Sequence, residues 1–432
     1  MTNIAPNAPK NPYFAVASII FGMGLIQCGF GLLNVIAPAL LNQAGYGADQ
    51  IGVHIAISSA GFFFGTLVAP RLIQSVGHIR AFSVFAAIDA VGALVMTMSV
   101  DLWFWAFTRA AMGFALSGIF TVCESWISGE TEFSKRGRVL AAYTIVYKLA
   151  QATAPLVITL LPAPKDGYEI ARYFMVISGF FSLALLPVAI TRVKAPQTGG
   201  ESARRLSFME VYKIAPASLV MSILISLSNN SVANLIPIYA IELGFGVAGG
   251  ALFFSALQFG NLILQWPAGL LSDIYDRRKI MLILSLVVTA TSIILAFFGD
   301  QMPKGIIWGL LALWGGCAMS VYSISIAHAG DRAQPHQMIG ICSTLLMIFS
   351  LGMIIGPLIS GQLISLFGAR ALFFFAGTMN VMAALYMIWR LRVNVRVLPA
   401  ALRAPFTNFA LTSLKLFHLD PRPLDKSPTD KD

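Results

Sequence analysis

GLLSDIYDRRK, residues 269–279, lies where one apolar run stops and another begins. Upstream, residues 247–272 carry no charge, and downstream neither do residues 280–299. Each run has about the twenty residues that a helix needs to cross hydrocarbon. Asp273, Asp276, Arg277, Arg278 and Lys279 are confined to the gap. A short basic turn between two such runs reads as a hairpin of membrane helices with its turn in the cytoplasm.

The alternation extends along the chain. Of 432 residues, 57% are hydrophobic and 11% charged, where a soluble domain carries about 25% charged. Mean hydropathy is +0.77. A soluble fold would have to hide more apolar surface than one core holds. Twelve apolar segments stand out, at 13–41, 51–75, 81–99, 102–128, 138–161, 170–191, 216–241, 247–272, 280–299, 304–329, 338–364 and 370–391. They predict an all-α membrane protein of twelve transmembrane helices. The polar stretch 192–215 divides it into a bundle of six at 13–191 and a bundle of six at 216–391. Short tails, 1–12 and 392–432, flank them, the second basic and then Pro- and Asp-rich. The first apolar segment is too long for the core of a cleavable leader, so it is expected to remain as the first span.

The net charge of +10 sits between the apolar segments, as orientation signals do, and not in a nucleic-acid footprint. With both termini cytoplasmic, the outer loops hold only Lys165, Arg172, Lys304 and Arg370. The far larger remainder falls inside, which fixes that orientation. A multi-pass protein of a bacterial inner membrane, monomeric and in contact with membrane lipids, is expected. Cys28, Cys123, Cys317 and Cys342 lie in apolar segments without metal-ligand spacing and read as packing residues. No hydrolase, metalloprotease or phosphate-loop motif is present. Neither an enzyme nor a cofactor or metal is expected.

The two halves echo each other. Pro38, Gly45, Gly47 and Leu72 recur at one constant offset as Pro237, Gly244, Gly246 and Leu271. Ala154-Pro155-Leu156 returns as Gly356-Pro357-Leu358. A six-helix unit repeated in parallel is an architecture of secondary transporters.

On these motifs the chain resembles the major facilitator superfamily. Gly269, Asp273, Arg277 and Arg278 fall on the family's loop signature G-x-L-x-D-x-x-G-R-R-K, with Asp276 in place of its second glycine. RAAMG, Arg109 to Gly113, is similar to the family's R-x-x-x-G element, and Gly352 to Gly361 resembles the Gly-Pro motif of antiporter members. Asn34 with Pro38, the run from Glu124 through RGRVLAAY, and QWPAGLLSD at 265–273 are similar to its YcaD-like branch. The resemblance implies two pseudo-symmetric bundles, alternating access, and a loop around Asp273 that locks one conformation. The first-half copy of that loop, 70–80, has Gln74 in the acid's place.

Four charges fall inside predicted spans: Asp89, Arg109, Glu124 and Lys148. A charge in lipid is costly, so each should face protein or a water-filled cavity. Asp89 and Arg109 either pair, or Arg109 binds solute, as its place in similar transporters implies. Glu124 either holds the basic loop, pairs with Lys148, or exchanges protons. Lys148 either pairs with Glu124 or draws an anionic solute, with Tyr147 beside it. Gln258, Asn261 and Gln265 share one face of the eighth segment, and Asn230 and Asn234 one face of the seventh beside Asn229. They line a cavity or bond between helices, and Gln265 belongs to the structural QWPAG element. Asn34, His328, Tyr143 and Tyr322 are weaker candidates. The function expected is secondary active transport of a small organic solute, acidic or zwitterionic, coupled to protons through Glu124. Drug or metabolite efflux is the alternative.

Overall fold

The computed structural model describes residues 12–131, 133–160, 167–191, 206–334 and 337–393. Most of the expected central loop (192–205), nearly all of both tails, and Lys165 lie outside the described residues. In lipid every backbone group must be satisfied internally, so apolar runs of this length become helices. Among the described residues fourteen are formed. They are α1 (Pro12–Gln43), α2 (Ala48–Val76), α3 (His78–Val95), α4 (Leu102–Glu130), α5 (Phe133–Thr153), α6 (Gly167–Leu183), α7 (Leu185–Ala189), α8 (Phe208–Ile214), α9 (Pro216–Glu242), α10 (Gly246–Ile274), α11 (Arg277–Phe298), α12 (Lys304–Gly330), α13 (Met338–Phe367) and α14 (Arg370–Arg392). Among the described residues there is no strand.

Among the described residues eleven spans are long and apolar enough to cross a membrane, with α6 and α7 forming one of them. The fifth apolar segment, α5, is not among these. It contains Lys135, Arg136, Arg138 and Lys148. It continues as a 3-10 segment, Ala154–Leu160, where Pro155 offers no N–H to an α-helical ladder. The third span starts at His78, earlier than its apolar run, because Gly77 at φ 85° ends α2 and begins α3. In the stretch read as a loop, α8 forms behind a capping box. Ser207 Oγ accepts from the Glu210 N–H, and the Glu210 carboxylate accepts from the Ser207 N–H.

The repeat is visible in the packing. Gly45 and Gly244 both take positive φ, 91° and 80°, just past α1 and α9. Gly61 of α2 lies against the Ala110 carbonyl of α4, and Gly260 of α10 against the Ala312 carbonyl of α12. A Cβ at either glycine would collide with that backbone, so both crossings need glycine.

One apolar core runs through the first bundle and into the half of the second that contains Leu235, Phe253, Leu295 and Phe373. The other half, around Met221, Met281, Val321 and Met387, packs as a separate core. The bundles therefore share a core at the end where α2 begins and α13 stops, and not at the end that carries residues 269–279.

Candidate functional site

At the joined end α2 and α13 cross closely. A Cβ on Gly361 would lie 2.5 Å from the Ala48 carbonyl, and one on Gly52 would lie 2.5 Å from the Pro357 carbonyl. Ser365 Oγ donates to Asp49 Oδ1 at 2.8 Å and accepts from the Asp49 N–H at 2.9 Å. Gly352 and Gly356 face α9 at Ser226 and Leu227. The Gly-Pro motif thus serves close helix packing, within the second bundle and across to the first. Toward the opposite end, Thr66 and Leu67 of α2 and Ser343, Leu346 and Met347 of α13 border a pocket.

Lys148 stands where α5 of the first bundle meets α10 of the second. It is half-buried on α5, and its Nζ donates to Asn261 Oδ1 at 3.2 Å and Gln265 Oε1 at 2.5 Å on α10. Gln265 in turn donates to Ser323 Oγ of α12 at 2.8 Å. One turn further along α5, Gln151 Oε1 accepts from Gln258 Nε2 at 2.6 Å. A lysine and four amides therefore link the two bundles side chain to side chain. Among the described residues, Lys148 pairs neither with Glu124 nor with any other carboxylate. Gln265, read as structural, is a direct partner of the ammonium. Gln151 and Ser323 were missed. Gln151 was legible, because residues three apart on a helix share a face.

Arg109 is buried on α4. Its Nη2 donates to Asn34 Oδ1 of α1 at 2.9 Å, and its guanidinium carbon lies 5.8 Å from the Phe30 ring centroid, within cation–π range. It makes no ion pair with Asp89, whose two carboxylate oxygens have no hydrogen-bond partner. The packing gives the reason. Gly118 faces Phe85 and Gly92 faces Met112, so antiparallel α3 and α4 set Asp89 about a turn from Arg109, toward the loop end. Side chains lean toward their own helix N-terminus, so these two lean apart.

Glu124 is fully buried within electrostatic reach of Tyr143 and Tyr147. Tyr147 packs edge-on against Phe120 and Tyr143. The structure does not bring Asn230 and Asn234 to Lys148. Their amides donate to the backbone of their own helix, at Ser226 and Asn230. Asn229 donates instead across to the Ala318 carbonyl. Tyr322 stacks on Phe349 and donates to the Leu345 carbonyl, and His328 is buried at the end of α12.

The loop at 269–279 is an ion-pair cluster. Arg277 pairs with Asp273 at 3.2 Å and with Asp331, past the end of α12, at 2.8 Å. Arg278 pairs with Asp276 at 2.8 Å and donates to the Arg390 carbonyl of α14 at 3.2 Å. Asp276 also caps α11, its Oδ1 accepting from the Arg278 N–H, which accounts for an acid where the signature has glycine. Gly269 sits one turn before, its carbonyl accepting from Ser272 Oγ.

The family model described as Major Facilitator Superfamily matches residues 19–340 and 218–424. An uncharacterised MFS-type transporter, YcaD, from Salmonella arizonae is 24% identical over 373 residues, which is 86% of this chain and 95% of that protein. The nucleoside transporter NupG superposes with a TM-score of 0.74 at 12% identity, covering 88% of this chain and all of that one. A bacterial homologue of the human lysosomal transporter Spinster, in an inward-facing, occupied conformation, gives 0.70 at 15%, covering 89% and 98%.

Proposed function

We propose that this chain, which belongs to the Major Facilitator Superfamily, moves a small organic solute, acidic or zwitterionic, across a bacterial inner membrane by proton-coupled alternating access. Membrane transport follows from the family. The solute class rests on one observation: Lys148 projects from the first bundle between the two, held by amide oxygens of Asn261 and Gln265 and by no carboxylate. A positive charge in a low-dielectric passage that is balanced only by dipoles favours an anionic ligand. Gln258 and Gln151 supply polar groups one turn away, and Arg109 with Asn34 forms a second cationic point on the α1 side.

The Lys/Arg asymmetry supports placing the loop end in the cytoplasm. On that orientation the Asp49–Ser365 contact seals the outer side, and the separate cores at the loop end correspond to an inward-facing state. The bundles would rock about Lys148. Binding of solute carboxylate to Lys148 would release Asn261 and Gln265, loosening this tie between the bundles. Glu124, buried beside Tyr143 and Tyr147 one helical neighbour from Lys148, is the proton-coupling residue in this reading.

Thermal unfolding of the purified protein against organic anions, zwitterions and lipophilic cations tests the proposal. An anion at a hundred times its Kd should stabilise wild type by about 2.7 kcal/mol and leave Lys148→Ala unmoved. Glu124→Gln should then lose proton-driven accumulation of that solute while keeping exchange. Lipophilic cations that stabilise wild type and Lys148→Ala equally would overturn the anion reading and favour efflux.

A further inference from the structure

Two buried ionisable side chains of the first bundle lie within electrostatic reach of Arg109 and not of Lys148. Asp89 of α3 is 0% exposed and His54 of α2 is 1% exposed. Neither carboxylate oxygen and neither ring nitrogen has a hydrogen-bond partner. Arg109 of α4 is within electrostatic reach of both, and its Nε and Nη1 also lack an acceptor. Buried polar groups are nearly always bonded, and clusters that are not call for an explanation.

We infer that Asp89 is a second proton-binding residue of this transporter, distinct from Glu124, which gives up its proton when Arg109 leaves Asn34 and closes on it. The inference rests on the reading of the protein as a proton-coupled carrier. An ionised carboxylate with no donor, on a helix whose neighbouring residues Phe85, Ala86, Ala90 and Ala93 are buried and apolar, is costly to hold. The neutral acid suits the conformation described here. Arg109, meanwhile, is engaged through one nitrogen with Asn34 and keeps donors on Nε and Nη1 to spare. A change of rotamer of its long side chain, with a shift of α1 carrying Asn34 away, would turn those donors toward Asp89. The O–H bond of the acid then breaks, the proton passes to water, and the carboxylate left behind is matched by the guanidinium. Because Asn34 and Phe30 belong to α1, which packs against both bundles, the position of Arg109 depends on how the bundles are disposed.

The surroundings of Asp89 leave few other candidates for its charge partner. From α4 the facing cation is Arg109. From α2 the titratable group is His54, which cannot be a cation beside Arg109 without repulsion. From α6, Ser178 Oγ donates to the Ala90 carbonyl, while Glu169, Arg172 and Tyr173 lie near that helix's start. The short α7 carries no titratable residue.

Spin labels test this without a known solute. Gln74→Cys on α2 and Gln334→Cys beyond α12 are exposed positions at the loop end of different bundles, placed in a Cys28→Ser background. Their distance distribution, measured by double electron–electron resonance in mildly acidic and mildly alkaline buffer, reports bundle disposition. Wild type should shift with pH. Asp89→Asn, which mimics the neutral acid, should shrink the shift, and Asp89→Glu should restore it. The reduction should persist in a Glu124→Gln background. A wild type that does not respond to pH, or an Asp89→Asn that leaves the shift unchanged in either background, overturns the inference. Loss of anion stabilisation at Lys148 would not touch this result, so the two readings fail separately.

Discussion

The loops at 70–80 and 269–279 occupy equivalent places in the two halves, yet different physics holds them. In the second, Asp273, Asp276, Arg277, Arg278 and Asp331 interlock, and Arg278 reaches on to α14. In the first, the equivalent positions are Gln74, Gly77, His78 and Ile79. Gln74 is exposed, Gly77 turns the chain at φ 85°, and His78 Nε2 shares a hydrogen bond with Ser125 Oγ of α4 at 2.8 Å. Charges fasten the second loop, and at the same places in the first stand a glycine turn and the His78–Ser125 hydrogen bond. The whole cluster differs, not merely the acid at position 74. Such a difference fits a carrier in which the second bundle's loop bears the conformational locking.

The contrast can be broken most severely at Arg277, whose side chain is 1% exposed between two carboxylates. Arg277→Ala leaves those acids without their shared cation. It should cost about 3–5 kcal/mol, read as a fall in Tm and in monodisperse yield. In the other loop Gly77→Ala forces a side chain onto positive φ. It should cost of the order of 1–3 kcal/mol by the same measurement, although no contact is lost. Asp276→Asn tests the charge itself. Burial pushes the Asp276 carboxyl up, but hydrogen bonds from Arg278 and its positive charge outweigh this and hold it below its ordinary value of 3.8. Its contribution is therefore present above the unfolded value and lost as pH falls through the lowered folded one. Wild type should outlast Asp276→Asn at neutral pH, and the gap should close in acid, seen in Tm against pH. The smallest effect belongs to Gln74→Asp. Restoring the acid alone should change stability by less than about 0.5 kcal/mol, because His78, which stands at the place of Arg277, already bonds Ser125. A large gain in Tm would show that one residue is enough to rebuild the lock.

The chain's own pattern made much of this legible. Apolar length marked the spans, the Lys/Arg distribution suggested an orientation, and GLLSDIYDRRK pointed to the family. The i, i+3, i+7 spacing of Gln258, Asn261 and Gln265 put them on one face, and the structure meets that face with Lys148. Those are local properties, set by the bilayer's thickness and the helical period. The partners were another matter. Lys148 joins α10 and not Glu124. Asp89 and Arg109 lie on adjacent helices yet lean apart because those helices run antiparallel. Asn230 and Asn234 turn back on their own backbone, and Gly361 presses on α2 across the bundle boundary. Which face of one helix meets which face of another depends on rotation, tilt and close approach summed over the whole assembly. Sequence spacing determined what each helix presents, and only the tertiary packing decided what receives it.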